Sequence, residues 1–110
     1  MATSAERSQK SKIARGRTSE GEPNPIDVYV GRRISERRSA LKMSLDELGK
    51  MLGLSYQQVQ KYEKGDNRIS ASRLWDFAQA FKVSIEYFFT DMDEETISRS
   101  PRKIKQSIKS

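Results

Sequence analysis

Four side chains with hydrogen-bonding groups lie within six residues of the sequence: Tyr56, Gln57, Gln60 and Lys61. If each residue advances a helix by roughly 100°, the four fall within an outer arc of about 140°, which Lys64 shares. A glutamine amide offers a donor and an acceptor together, an ammonium group offers only donors, and a phenol adds an apolar ring. This face is suited to recognition through hydrogen bonds.

The sequence lacks two residue types that enzymes commonly use for catalysis. The chain has no cysteine and no histidine, which removes disulfides, thiolate nucleophiles, most zinc sites and imidazole acid–base chemistry. The acids are scattered along helix faces or grouped in residues 91–95, with no glycine-rich phosphate loop nearby. We therefore predict that the protein is not an enzyme and holds no metal, no cofactor and no evident small-molecule ligand.

Two short helices in residues 45–64 must position the polar face. In the second helix, Val59 and Tyr62 fall on the side opposite the polar arc. The apolar residues of the first helix share one side when they are counted at the same angle: Leu45, Leu48, Met51 and Leu52. Both helices are therefore expected to bury one side.

Two glycines favour a tight turn between these helices. Gly53 stands where the first helix must stop and the chain must reverse without a Cβ clash, and Gly49 allows the second helix to approach closely. Two ordinary core helices are the alternative, but they would not require both glycines together with the apolar spacing. We interpret residues 45–64 as a helix-turn-helix, which can place its second helix in the major groove of DNA.

The composition is consistent with one small domain and an anionic partner. The chain has 110 residues, 35% of them hydrophobic, and these are concentrated between Pro25 and Thr90. A net charge of +6 and a pI near 9.7 favour nucleic acid as the partner, although charge alone is weak evidence. The sequence contains neither an apolar run of membrane-spanning length nor a secretion signal, so we expect a cytoplasmic protein that does not bind membranes.

The polar ends are expected to be disordered arms around the folded unit. Residues 1–24 contain few large apolar groups, and residues 91–110 combine an acidic patch with a basic tail. The arms could attract phosphates or only keep the protein soluble. As an alternative to disorder, Ile97, Ile104 and Ile108 could line one face of a weak helix.

The folded unit, residues 25–90, is predicted to be all-α with five helices. Asn24 caps the first helix, whose buried stripe would be Ile26, Val30, Ile34 and Leu41. The later helices are expected to start at Ser44, at Ser55, at Ser70 or Ser72, and at Ser84, with capping boxes formed by the pairs Ser44 and Glu47, and Ser55 and Gln58. Gly65 would end the third helix, and Leu74, Phe77, Ala78 and Phe81 would share the inner face of the fourth.

The run from Ile34 to Phe88, which includes MSLDELGKMLGLSYQQVQKYEKG and SASRLWDFAQAFKVSIEYFF, resembles the phage-repressor and Cro type of helix-turn-helix domain, often called XRE. The resemblance covers about half of the chain. It implies a compact five-helix, lambda-repressor-like fold whose third helix, residues 55–64, enters the major groove.

The resemblance also implies which residues contact DNA. Tyr56, Gln57 and Lys61 match the base-contacting positions, and Gln60 lies on the same arc. Gln57 could pair with adenine N6 and N7, Lys61 could donate to guanine O6 or N7, and Tyr56 could contact a thymine methyl or a phosphate. The candidates for phosphate contacts, at the starts of two helices and in the loop after the third, are Ser44, Ser55, Asn67 and Arg68.

One departure and one match concern how the third helix is held. Family members often carry a glutamine that braces this helix at the position of Leu45, so that brace is in doubt here, and Lys42 or Ser44 could substitute. Arg38 and Glu63 match a pair that joins the first helix to the end of the third. We expect this pair to be partly buried.

These observations predict a sequence-specific regulator of transcription, a repressor, that binds a pseudo-palindromic operator in double-stranded DNA as a homodimer and associates with the nucleoid of a prokaryote or phage host. The alternatives are a protein-binding adaptor and an antitoxin that use the same fold. The aromatic end Tyr87, Phe88 and Phe89 is the first candidate for the dimer surface, although all three rings could instead pack internally.

Overall fold

The computed structural model describes residues 21–100. This part of the chain contains five α-helices, one 3-10 helix and no strand. The α-helices are α1 (Pro25–Ala40), α2 (Leu45–Leu52), α3 (Tyr56–Glu63), α4 (Ala71–Phe81) and α5 (Glu94–Ser98), and the 3-10 helix, Ile85–Phe88, lies between α4 and α5. The all-α repressor-like fold expected from the sequence is confirmed.

Short polar side chains start the helices because they satisfy backbone N–H groups that have no partner within the helix. The Asn24 side chain accepts from the N–H of Ile26 at 2.8 Å, and Ser70 accepts from that of Arg73 at 3.1 Å. Ser70 is therefore the start of the fourth helix. Ser84 stands before the 3-10 helix, but its side chain makes no capping hydrogen bond.

The core lies between α1, α2, α3 and α4 and is closed by the 3-10 helix. Rings of α4 lie at its centre, where Phe77 packs edge to face with Tyr62 at 5.7 Å between centroids. The buried apolar residues of this cluster are Val30, Ile34, Leu48, Val59, Phe77, Ala78, Phe81 and Phe88. Every α-helix of the predicted motif therefore contributes to one core, which fixes the position of α3.

The prediction that Leu41 belongs to the buried stripe of the first helix is wrong. Val30 and Ile34 are buried and Ile26 packs against the core, but Leu41 is 41% exposed. The reason is that α1 ends at Ala40, and Lys42 then takes a left-handed conformation with φ 59°. Leu41 therefore no longer follows the spacing of the helix.

The prediction that the tail is disordered from Asp91 onward is wrong for residues 91–100, which contain α5. The Asp93 side chain accepts from the N–H of Thr96 at 2.8 Å and starts α5, which contacts α1. The Tyr29 hydroxyl also donates to the Thr90 carbonyl at 2.5 Å, which holds the chain leading into α5. The predictions for the arm before residue 21 and for residues 101–110 lie outside the described residues.

The aromatic end is mostly packed internally. Phe88 is fully buried, and the edge-to-face contact between Tyr87 and Phe88 has centroids 5.5 Å apart. The Arg33 guanidinium lies 4.0 Å above the centroid of the Tyr87 ring and donates to the Tyr87 carbonyl at 2.9 and 3.1 Å. Phe89, at 42% exposed, is the one ring of the three that faces solvent.

Candidate nucleic-acid interface

The outer side of α3 is a polar surface open to solvent. Tyr56, Gln57, Gln60 and Lys61 are all exposed, whereas Val59 on the opposite side is fully buried. Because Val59 anchors one side of an eight-residue helix in the core, the four polar side chains cannot turn inward. The structure thus brings the predicted base-reading residues together on one accessible face.

A capping box fixes the start of α3. Ser55 Oγ accepts from the N–H of Gln58 at 3.1 Å, and Gln58 Oε1 accepts from the N–H of Ser55 at 2.9 Å. The N–H groups of Tyr56 and Gln57 lie in the first turn, where no carbonyl of the same helix can reach them. No acidic residue stands in this turn. The start of α3 therefore presents positive backbone dipoles that no neighbouring carboxylate on the turn offsets.

An ion pair fixes the end of α3. Arg38 Nε donates to Glu63 Oε2 at 2.6 Å and Arg38 Nη2 donates to Oε1 at 3.1 Å, while Nη1 donates to the Met43 carbonyl at 2.8 Å. The two side chains are 16% and 9% exposed, and the hydrogen bond to Glu63 raises the pKa of Arg38. One guanidinium thus joins α1, the turn before α2 and the last residue of α3.

Two glycines let the backbone of α3 and its turn approach closely. A Cβ added at Gly49 would lie 2.5 Å from the Leu54 carbonyl oxygen, and one added at Gly31 would lie 2.6 Å from the Glu63 carbonyl oxygen. The role of Gly31 was not predicted from the sequence. A signal was available, because a glycine inside the 16-residue helix α1 weakens that helix unless a close contact requires it.

Gly53 ends α2 in the left-handed conformation, with φ 72°. Its N–H donates to the Gly49 carbonyl, and the N–H of Leu54 donates to the same oxygen at 2.8 Å. The turn between α2 and α3 is therefore closed by backbone hydrogen bonds, and it requires a residue that tolerates positive φ.

The start of α2 is less suited to an anion than the start of α3. Ser44 and Glu47 form the predicted capping box, with hydrogen bonds of 2.9 and 2.7 Å. Asp46 and Glu47 place two carboxylates in the first turn, and Asp46 lies 3.4 Å from Lys50. Leu45 packs against the core. The position where the family often carries a bracing glutamine is thus part of the apolar packing in this chain.

The loop after α3 carries the other two predicted phosphate contacts. Gly65 adopts φ 79° just beyond α3, and the N–H of Asn67 reaches back to the Lys61 carbonyl at 3.4 Å. Asn67 is half-buried and Arg68 is exposed. Of these two residues, Arg68 presents the freely accessible charge.

Comparison with known proteins gives the family. The family described as Helix-turn-helix, HTH_3, matches residues 34–88, which are 55 of the 110 residues. The chain belongs to this family. The matched segment begins in α1 and ends with the 3-10 helix, so it contains the whole α2–α3 unit and most of the core that supports it.

A close relative of this HTH_3 protein is an uncharacterized HTH-type transcriptional regulator of Sinorhizobium medicae. The two sequences are 54% identical over 69 residues, which cover 63% of this chain and 50% of the relative. The chain therefore spans about half the length of that relative.

Solved structures with related folds include two proteins of similar size to the HTH_3 domain. The restriction-modification controller protein C.AhdI from Aeromonas hydrophila has a TM-score of 0.54 and 27% identity over 56% of this chain and 94% of its own. The DNA-binding domain of the P22 c2 repressor has a TM-score of 0.53 and 29% identity over 56% of this chain and 82% of its own. Both matches agree with the repressor-like fold.

Two other kinds of structure are absent from the described part of the chain. Among residues 21–100, no three side chains of the histidine, cysteine, aspartate and glutamate types are grouped so that they could hold a metal ion. No helix in this range is long and apolar enough to cross a bilayer.

Proposed function

We propose that this HTH_3 protein is a sequence-specific regulator of transcription that reads the major groove of double-stranded DNA with α3. The observation that carries the proposal is the orientation of α3. Its apolar side is locked into the core, while a continuous face of amides, a phenol and an ammonium group points to solvent. An α-helix fits the major groove, where each base pair presents a distinct set of donors and acceptors.

Base recognition would be divided among the exposed residues of α3. The Gln57 amide can accept from adenine N6 and donate to N7, and the Lys61 ammonium can donate to guanine O6 or N7. Gln60 lies on the same arc, between Tyr56 and Gln57. Tyr56, at 49% exposed, combines an apolar edge that fits a thymine methyl with a hydroxyl that can reach a phosphate.

Phosphates would be held by groups around this face. The first-turn N–H groups of α3 and the Ser55 hydroxyl form one set at the helix start. Arg68 supplies a charge from the following loop, with Asn67 beside it. Ser44 offers a further hydroxyl at the start of α2, although the carboxylates of Asp46 and Glu47 weaken attraction to an anion there.

The protein would act as a homodimer and a repressor in the cytoplasm, at the nucleoid, without enzymatic activity of its own. One eight-residue helix contacts few base pairs, and a dimer doubles these contacts by placing two such helices about 34 Å apart on a pseudo-palindromic site. The similarity to the DNA-binding domain of the P22 c2 repressor supports the repressor role.

Selection from random DNA tests this function. Purified full-length protein is incubated with a pool of random duplexes, and the bound fraction is amplified and sequenced through several rounds. If the protein binds DNA specifically, the enriched duplexes contain two related half-sites in inverted orientation, spaced by about one helical turn. Its affinity for the enriched duplex falls linearly in log salt, with a slope of about −0.9 per phosphate neutralised. A pool that stays random would contradict the proposal.

A further inference from the structure

Two large apolar side chains of the described chain, Trp75 and Met51, belong neither to the core nor to the reading face. Trp75 on α4 is 57% exposed and Met51 at the end of α2 is 55% exposed. We propose that this surface, which we call the Trp75 face and which comprises Met51, Leu52, Trp75, Asp76, Gln79 and Ala80, pairs two copies of the chain. The inference rests on the proposed homodimer and names the surface through which it forms.

The Trp75 face contains a recess and a projection side by side. A groove between α2 and α4 is lined by Met51, Leu52, Asp76, Gln79 and Ala80. Trp75 stands next to this groove, one helical turn before Gln79. A two-fold dimer uses the same surface on both subunits, so that surface must supply both the projecting group and the recess that receives it. The Trp75 ring of each copy can therefore enter the groove of the other copy.

Charge favours a second copy at this face. The chain carries a net charge of +6, so two copies repel each other on average. The two helices of the Trp75 face carry two basic and three acidic residues: Lys50 and Arg73, and Asp46, Glu47 and Asp76. The Arg73 and Asp76 side chains already pair at 3.4 Å beside the groove. The two helices are therefore close to neutral, so two copies can meet at this face with little of the repulsion that the positive charge of the whole chain would cause.

The aromatic end is a poorer dimer surface than the sequence suggested. Phe88 is buried in the core, and Tyr87 is covered by Arg33 on its ring and by Phe88 at its side. Phe89, at 42% exposed, is then the only ring of the three that is mostly free for contact, and it is less exposed than Trp75. Trp75 is the most exposed large hydrophobic residue in this range.

The single tryptophan of the chain makes this inference directly measurable. Emission wavelength and acrylamide quenching of Trp75 are recorded over a range of protein concentrations, in parallel with sedimentation velocity. The proposal predicts that dimer formation shifts the emission to the blue and protects Trp75 from quenching, along the same concentration curve as the sedimentation change.

A charge placed in the groove separates this interface from others. Met51→Glu keeps the fluorescent probe and should raise the dimer dissociation constant by about tenfold or more, because two carboxylates would be buried in apolar surroundings. Leu41→Glu is the matched control, since Leu41 is a partly exposed apolar residue that does not line the groove, and the change should leave the dimer unchanged. Circular dichroism melts confirm that both variants fold.

Three results would overturn the inference. Sedimentation could show a dimer in which Trp75 stays accessible, which would place the interface elsewhere. The protein could remain a monomer at all concentrations. Protection of Trp75 could appear only on adding DNA, without dependence on protein concentration, which would mean that nucleic acid covers the ring. Sequence-specific binding to a half-site would survive in each case, so the failure of this interface is distinguishable from the failure of the proposed function.

Discussion

Arg38 of α1 and Glu63 at the end of α3 hold each other through two hydrogen bonds, of 2.6 and 3.1 Å, in a largely buried position. This pair does more than join two helices, because Glu63 lies only two residues after Lys61 of the reading face. A change in the ion pair therefore alters both the stability of the domain and the orientation of the helix that carries the reading face.

Replacing Glu63 with alanine should destabilise the domain by about 3 kcal/mol, at the lower end of the range for breaking a buried pair, because Arg38 would remain buried without its partner. The change is measured as a lower midpoint of urea unfolding at constant slope. Glu36→Ala is the control. Glu36 lies 3.8 Å from Arg32 and 3.5 Å from Arg33, and because its own side chain is 53% exposed, each of these pairs is worth about 0–1 kcal/mol. Equal losses in the two variants would contradict the structural role of Arg38 and Glu63.

Gly49→Ala should destabilise the domain by about 1–3 kcal/mol, because its Cβ would meet the Leu54 carbonyl and push α3 away from α2. The loss is read from thermal unfolding followed by circular dichroism. Gly53→Asn is the comparison. No atom lies within 4 Å of a Cβ at Gly53, and asparagine tolerates positive φ, so the melting temperature should fall little. Gly53→Val should be much less stable, since a β-branched residue does not tolerate positive φ.

The sequence predicted features whose causes are local. Asn24, Ser44 and Ser55 cap their helices through side chains that reach only two or three residues along the chain. The orientation of α3 could also be predicted, because helical spacing places Val59 opposite the polar arc. These signals lie within short stretches of sequence.

The features that were missed depend on distant contacts. The helix α5 has five residues and starts at Asp93, yet its position depends on its packing against α1 and on the bond from Tyr29 to Thr90, 61 residues apart. The cover that Arg33 provides for Tyr87 spans 54 residues. No helical period in the sequence records such pairs, so the sequence left open whether Tyr87 is packed internally or available at a surface. The groove beside Trp75 was not predicted for the same reason, because it forms only where α2 and α4 pack together.

Arg68→Ala should weaken binding to all duplexes alike, because a phosphate contact carries no information about sequence. Fluorescence anisotropy with the selected site and with a random duplex measures this. The salt slope should fall by about 1 as one phosphate contact is lost. Lys82→Ala is the control, since Lys82 is an exposed cation beyond the end of α4, outside the proposed DNA face. A loss confined to the selected site would contradict a phosphate role for Arg68.

Strong acid should weaken the cap at the start of α5. Hydrogen bonds from Thr96 lower the pKa of Asp93. Because the folded pKa lies below the unfolded one, the contribution of Asp93 to stability is complete above the ordinary aspartate range and is lost as the pH falls through the lowered pKa. Amide chemical shifts of Thr96, followed by NMR during acid titration, should report this low transition. In Asp93→Asn, whose amide still caps the helix, the transition should disappear. A Thr96 shift that titrates at the usual aspartate pKa would contradict the cap.

The most direct test of the reading face is the binding of the wild-type protein and the Gln57→Ala variant to the selected duplex and to every single base-pair change of it. The account predicts that the variant binds the selected duplex about 1–3 kcal/mol more weakly and loses discrimination at one base pair in each half-site, with the other positions read as before. An equal loss on selected and random DNA, with discrimination intact at every position, would show that α3 does not read bases through Gln57.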